Sequence, residues 1–192
     1  MSQSERITAL DLPIPQTADL PENVQKYFAK CDEKLGMIPN VLKSYSQNLA
    51  QFEVFTRFYN EMMFGESVLT PLEREMIAVV VSSENKCFYC LTAHGAAVRE
   101  YSGNPMLGEQ LVMNYRTAEL DARQRAMLDF ACKLTQSPDA IIESDRAALR
   151  QAGFDDRTIW DIANIVGFYN MTNRIASAVE MQPNPEYHAR FR

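Results

Sequence analysis

Thr70-Pro71-Leu72-Glu73-Arg74-Glu75-Met76-Ile77-Ala78-Val79-Val80-Val81, followed after five residues by Cys87-Phe88-Tyr89-Cys90-Leu91-Thr92-Ala93-His94, is the stretch on which the fold turns. Thr70 can cap a helix, Pro71 suits its first position and Glu73 completes a capping box, so a helix starts here. The residues that follow are apolar nearly all round, which predicts a helix with little of its circumference facing water. Glu75 shares a face with Leu72 and Val79 at the edge of this apolar arc. A salt-bridged surface carboxylate is the simpler reading of Glu75, whereas burial would demand a partner or a raised pKa.

The second half of the stretch carries chemistry. On a helix, residues three and four apart share a face, so Cys87 and Cys90 are neighbours and His94 lies one turn beyond Cys90. Three residues of helical rise separate the two Cα atoms by about 5 Å, within reach of a disulfide. Ser82-Ser83-Glu84-Asn85-Lys86 reads as a break with capping residues, which places Cys87 in the first helical turn. Exposed N–H groups and the positive end of the helix dipole favour a thiolate there.

Packing and zinc are the competing readings. A lone buried Cys usually serves as a small hydrophobe, but a Cys-x-x-Cys pair is a redox or metal signature. Structural zinc needs four ligands, and the remaining candidates, Cys31, Cys132 and His188, are isolated in sequence. A thioredoxin fold would need a strand before the motif, and here helical patterns surround it. Cys31 and Cys132 read as packing residues within their helices.

Outward from the motif, the expected fold is all-α, a single-domain multi-helix bundle. Pro13, Pro15 and Pro21 make residues 1–20 an extended arm that must dock on the body or reach a neighbour. A helical domain spans 21–182 and an aperiodic tail 183–192. Within the domain, helices are expected over Pro21 to Leu35, through Val41 to Tyr45, over Leu49 to Phe64, Met106 to Met113, from Leu120, over Ser144 to Gln151, and from Arg157 to Glu180. Ile162, Ile165, Val166, Tyr169, Ile175 and Ala178 are the core-seeking pattern of the last. Asn170, Asn173 and Arg174 interrupt it; they suit a structural hydrogen-bond network first, and substrate orientation or a subunit contact second. Leu69 to Ala78 weakly resembles Leu120 to Asp129, aligning Thr70 with Asp121, Arg74 with Arg125 and Met76 with Met127, while Glu75 meets Ala126.

Composition narrows the function class. The 192 residues suffice for one buried core, and no apolar run reaches the roughly 18 residues of a membrane span. Met1-Ser2-Gln3-Ser4-Glu5-Arg6 lacks the apolar core of a signal peptide, so the cytoplasm, with its reduced thiols, is the expected compartment. The formal net charge of −6 is interleaved rather than blocked, which argues against nucleic-acid and anionic-membrane partners.

With Glu75, eleven intervening residues, then Cys87-x-x-Cys90-x-x-x-His94, the chain resembles the alkylhydroperoxidase D-like branch of the carboxymuconolactone decarboxylase superfamily, and more closely its peroxidase-related members. Met37-Ile38-Pro39-Asn40-Val41 and Asn170-x-x-Asn173-Arg174 add to the likeness, which runs from Leu12 to Pro185. The resemblance implies an all-α homo-oligomer that reduces hydroperoxides with a Cys pair, without metal or haem, and is reset by an external dithiol such as a lipoyl or thioredoxin-like protein. Glu75 would orient and charge His94, which would take a proton from Cys90, so that Cys90 attacks the peroxide and Cys87 condenses with its sulfenic acid; the helix dipole points the other way, to Cys87 as the reactive thiol. Characterised hydroperoxidases often carry His immediately before the second Cys; Tyr89 stands there in this chain and cannot shuttle protons near neutral pH as imidazole does. A protein dithiol–disulfide oxidoreductase or redox sensor is the alternative activity. Lactone decarboxylation and a non-enzymatic helical oligomer rank lower.

Overall fold

In the computed structural model, residues 6–192 are described, and the first five residues of the expected arm lie outside them. Every regular element among the described residues is helical: α1 (Glu22–Leu35), α2 (Asn40–Tyr45), α3 (Leu49–Phe64), α4 (Pro71–Glu84), α5 (Phe88–Ser102), α6 (Pro105–Asn114), α7 (Ala122–Gln136), α8 (Glu143–Gln151), α9 (Asp156–Ala178) and α10 (Glu186–Ala189), with short 3-10 turns between some of them. The all-α expectation holds. No helix among the described residues is long and apolar enough to cross a membrane.

Helix α4 is the axis of the bundle, surrounded by α5, α6, α7 and α9. Its run from Met76 to Val81 has no solvent-accessible surface, the outcome its all-round apolar sequence requires. Each fully buried Val, Ile or Met contributes about 1.5–3 kcal/mol of apolar transfer free energy. The capping box forms: Thr70 Oγ1 accepts from the Glu73 N–H at 3.1 Å, and Glu73 Oε2 accepts from the Thr70 N–H at 2.8 Å.

The weak internal repeat has a structural counterpart. Asp121 and Gln124 make the same reciprocal cap at the start of α7. Buried Arg74 donates to the carbonyls of Met62, Gly65 and Leu69 at 3.0, 2.7 and 3.1 Å. Arg125, its aligned partner, donates to those of Tyr115, Arg116 and Ala118 at 3.3, 3.4 and 3.0 Å. In both copies an arginine one turn into a helix collects the orphan carbonyls left where the preceding segment ends, satisfying them with a positive charge. A further bond, from Arg123 Nε to Glu73 Oε1 at 2.9 Å, ties the two helix starts together.

Helices α4 and α5 form a tight hairpin. Close approach of α6 to α5 depends on glycine: a Cβ on Gly108 would lie 3.2 Å from the Gly95 carbonyl and 2.9 Å from Arg99 Cγ. Along α9, Ile162, Ile165, Val166 and Tyr169 are buried as expected, but Ile175 and Ala178 face outward. The end of α9 has turned past the bundle, so the core face there is carried by Asn173 and Ala176 instead.

Residues 7–9 and the C-terminal segment lie against the body. The Ala9 N–H donates to the Val179 carbonyl at 2.8 Å, and the Gln182 N–H to that of Ile7 at 2.9 Å. Beyond Pro183 the chain is not wholly irregular: α10 forms, and Arg99 donates to the carbonyls of Tyr187 and Arg190, both at 2.9 Å.

Candidate active site

Glu75 lies in the second turn of α4 and is 4% exposed. His94, in the middle of α5, meets it across the hairpin: His94 Nδ1 is 2.7 Å from Glu75 Oε2. The buried carboxylate therefore has the partner that its burial demands. With Nδ1 turned to the carboxylate, Nε2 is the ring nitrogen left for proton transfer. Tyr169, from α9, closes the other side, with its ring edge-on to the imidazole at 4.8 Å between centroids and its hydroxyl 3.4 Å from His94 Nδ1. That hydroxyl also donates to Met63 Sδ at 3.4 Å.

The turn between the two helices differs from its sequence reading. Ser82, Ser83 and Glu84 continue α4, so the break is confined to Asn85, Lys86 and Cys87. Ser82 stays helical because it is buried against α9, where its hydroxyl accepts from Asn173 Nδ2 at 3.0 Å. Lys86 takes a left-handed conformation, φ 56°, which costs a residue with a Cβ about 1–2 kcal/mol. Cys87 then sits at the N-cap of α5 with extended backbone rather than in the first helical turn.

This one-residue shift sets the electrostatics of the pair. The cap position turns the Cys87 sulfur toward the exposed N–H groups of α5, where an Asp or Ser oxygen would normally stand. No side-chain cap bond closes the terminus. The Cys90 thiol is the main donor to Cys87, and it lowers the Cys87 pKa to about 6 against the opposing cost of burial, with the Cys90 amide, the Ser177 hydroxyl and the field of His94 adding to the effect. Cys90 moves the other way. Its role as donor to Cys87 holds its proton and raises its pKa well above the ordinary thiol value, as does burial, while Asn173 and Ser82 act weakly in the opposite sense. Both sulfurs are reduced in this structure and buried, at 1% and 4% exposure.

The α9 residues divide by position. Asn173 is buried beside Cys90 and Ser82, and its Oδ1 accepts from Asn85 Nδ2 at 3.0 Å. Asn170 braces the same amide, accepting at 3.1 Å, and donates to Thr135 Oγ1 at 3.2 Å. Arg174 is exposed and donates to Asn170 at 2.8 Å, outside the thiol site. Tyr89 points away from the Glu75–His94 pair. Its buried hydroxyl accepts from the Val41 N–H at 3.0 Å, anchoring the start of α2. His94 and Glu75 are thus together as expected, but His94 bonds to neither sulfur directly, and Tyr89 has a structural tie in place of a relay.

Three residues near the chemistry escaped the sequence reading: Tyr169, Ser82 and Ser177. Tyr169 merges into the apolar pattern of α9 and Ser82 passes for a cap; only the placing of α9 over the hairpin reveals them. Among the described residues no group of three or more His, Cys, Asp or Glu side chains is arranged to hold a metal ion.

Residues 51–105, which span α3 through α5 and the thiol motif, match the carboxymuconolactone decarboxylase family. No curated protein matches the chain. The crystal structure of an uncharacterized peroxidase-related protein from Silicibacter sp. TM1040 is 63% identical, covers 100% of both chains and superposes with a TM-score of 0.96. A second, an alkylhydroperoxidase AhpD core and uncharacterized peroxidase-related protein from Ralstonia eutropha JMP134, is 37% identical over 97% of both chains with a TM-score of 0.93. The debrominase Bmp8 shares the fold at 20% identity, covering 96% of this chain and 95% of its own, with a TM-score of 0.77. The fold, the paired cysteines and these likenesses agree: the chain belongs to the alkylhydroperoxidase D-like, peroxidase-related branch of the carboxymuconolactone decarboxylase superfamily.

Proposed function

We propose that the protein is a thiol-dependent hydroperoxide reductase of antioxidant defence. The observation that carries this reading is the placement of a split thiol pair, one sulfur at the cap of α5 and its donor one turn later, beside the buried Glu75–His94 pair. A free thiol near pH 7 is only a few per cent thiolate, and both devices raise that fraction.

Cys87 is the attacking thiolate in this reading. Cys87 gives its proton to His94, its sulfur adds to the outer peroxide oxygen, the O–O bond breaks, and the departing alkoxide takes that proton back from His94. Cys87 is then a sulfenic acid. The Cys90 thiol attacks its sulfur and the S–S bond forms; His94 Nε2 takes the Cys90 proton and hands it to the departing hydroxide, which leaves as water. The balance is one hydroperoxide and two thiols in, one alcohol, one water and one disulfide out. An external dithiol, lipoyl or thioredoxin-like, restores the pair by exchange and is itself oxidised to a disulfide.

The reading includes a homo-oligomer, with the exposed apolar residues Val54 and Phe58 on α3 and Met171 and Ile175 on α9 available to a second copy, and a cytoplasmic setting in which dithiol reductants are maintained. The test is consumption of hydrogen peroxide and of cumene hydroperoxide supported by dihydrolipoamide. Wild-type protein turns over at a rate far above that of free dithiol, and Cys87→Ser and Cys90→Ser both fall to background. Reduction of a protein disulfide without any peroxide turnover would move the assignment to the oxidoreductase alternative.

A further inference from the structure

The thiol pair has a roof. Val179 and Met181, from the segment after α9, and Val41, at the start of α2, pack with Cys87, Tyr89 and Cys90 in one apolar cluster. The roof is stitched from three stretches far apart in sequence. Asn184 is buried, 5% exposed, and both ends of its amide are used: Oδ1 accepts from the Asn40 N–H at 2.7 Å and Nδ2 donates to the Ile38 carbonyl at 3.0 Å. Asn40 answers with Nδ2, which donates to the Gln182 carbonyl at 3.0 Å. Ile7 and Ala9 add the two backbone bonds to Gln182 and Val179. Glu180, between Val179 and Met181, is held at φ 49°, a left-handed conformation unfavourable for a residue with a Cβ.

Residues 179–181 hinge on the end of α9, their N–H groups donating to the Ile175, Ser177 and Ala176 carbonyls at 3.2, 3.2 and 2.9 Å, whereas residues 182–184 lie outside any helix and are held by the Asn40–Asn184 bonds and the one backbone bond to Ile7; a stretch held by so few bonds belongs to the low-stability end of a fold. It also lies over the two sulfurs that the proposed chemistry must expose to a dithiol. We propose that residues 179–184 are a latched strap that sets which reactants reach Cys87: small oxidants pass while it is closed, and a bulky dithiol reaches the pair only after the Asn40–Asn184 latch opens. This inference rests on the thiol-redox reading for its purpose, but the latch itself is a statement about access. Met181, Val179 and Val41 are the specificity-determining residues, acting by exclusion, and Asn40 and Asn184 set how often the exclusion is lifted.

Access is read by alkylation of the reduced full-length protein at Cys87, quantified by peptide mass spectrometry, with iodoacetamide as the small reagent and fluorescein maleimide as the bulky one. In the wild type the bulky reagent is retarded, relative to free cysteine, far more than the small one. Asn184→Asp keeps the acceptor but replaces the Nδ2 donor with a carboxylate facing the Ile38 carbonyl; Asn40→Ala removes the bond to Gln182 and is the second variant should the first fail to fold. Each is expected to speed bulky labelling about tenfold, the effect on the open fraction of losing one or two hydrogen bonds of ordinary net strength, and to change iodoacetamide labelling by less than about threefold. Equal retardation of both reagents in the wild type, or unchanged discrimination in both folded variants, overturns the strap. If the variants open access but peroxide forms no Cys87–Cys90 disulfide in any of the chains, the strap stands and the redox reading falls.

Discussion

Glu75 and His94, nineteen positions apart, meet at 2.7 Å across the α4–α5 hairpin, and the carboxylate has no escape to solvent. Removing its charge while keeping its shape isolates its electrostatic contribution. Glu75→Gln is expected to retain the fold and to lower kcat/KM for peroxide by about 10²-fold, the usual scale for a disrupted general acid–base pair. Steady-state kinetics with dihydrolipoamide, alongside a thermal melt, checks it; an unchanged rate would detach the pair from the chemistry.

The depressed pKa of Cys87 gives a pH signature. Its alkylation by iodoacetamide in the reduced protein is expected to rise through a midpoint near pH 6, whereas an unassisted thiol rises near 8.5. Because the folded value lies below the unfolded one, the thiolate stabilises the reduced fold fully above the unfolded pKa, and that contribution is lost as pH falls through about 6. Cys90→Ala removes the donor and moves the alkylation midpoint upward. A midpoint unmoved by Cys90→Ala contradicts the assignment of the donor.

Much of this arrangement was legible in the sequence. Glu75 followed by the Cys-x-x-Cys-x-x-x-His spacing located both partners of the pair, because helical periodicity determines which face each residue occupies, and the capping box at Thr70 marked the start of α4. What was not legible depended on tertiary placement. Ser82 has the residue type of a cap, but burial against Asn173 keeps it helical and moves Cys87 to the N-cap. Tyr89 reads only as the residue standing where a His is often found, and its bond to the Val41 N–H depends on the path of residues 37–41, which local pattern does not give. Tyr169 is invisible as a site residue because a core tyrosine and an active-site tyrosine share one pattern.

Tyr169→Phe keeps the ring edge against His94 and deletes the hydroxyl 3.4 Å from Nδ1. The expected result is a change in stability of no more than about 1 kcal/mol, as one hydrogen bond to sulfur is lost without a cavity, with a shifted pH profile of kcat/KM. Loss of stability with an unmoved profile would restrict Tyr169 to packing.

The two arginine staples predict a structural hierarchy. Arg74→Ala leaves three carbonyls without their donor in a buried setting and is expected to destabilise the fold by about 3 kcal/mol or more. Arg125→Ala, at the more exposed copy, should cost less. Urea unfolding of both variants measures the difference; the reverse order would mean that the repeat does not share one anchoring device.

The assignment of Cys87 as the attacking thiol is tested by a sulfenic-acid probe applied after peroxide. Labelling is expected in Cys90→Ser, where the Cys87 sulfenic acid has no thiol to condense with, and not in Cys87→Ser. Labelling confined to Cys87→Ser would reverse the roles.

The central claim, a dithiol built to reduce peroxides, is tested most directly by stopped-flow oxidation of the fully reduced protein with hydrogen peroxide and cumene hydroperoxide, with thiols counted at the end point. The account predicts a reaction well above the rate of free cysteine at the same pH, ending with two thiols lost per chain and a Cys87–Cys90 disulfide. Oxidation no faster than free cysteine, or an end point without that disulfide, would contradict it.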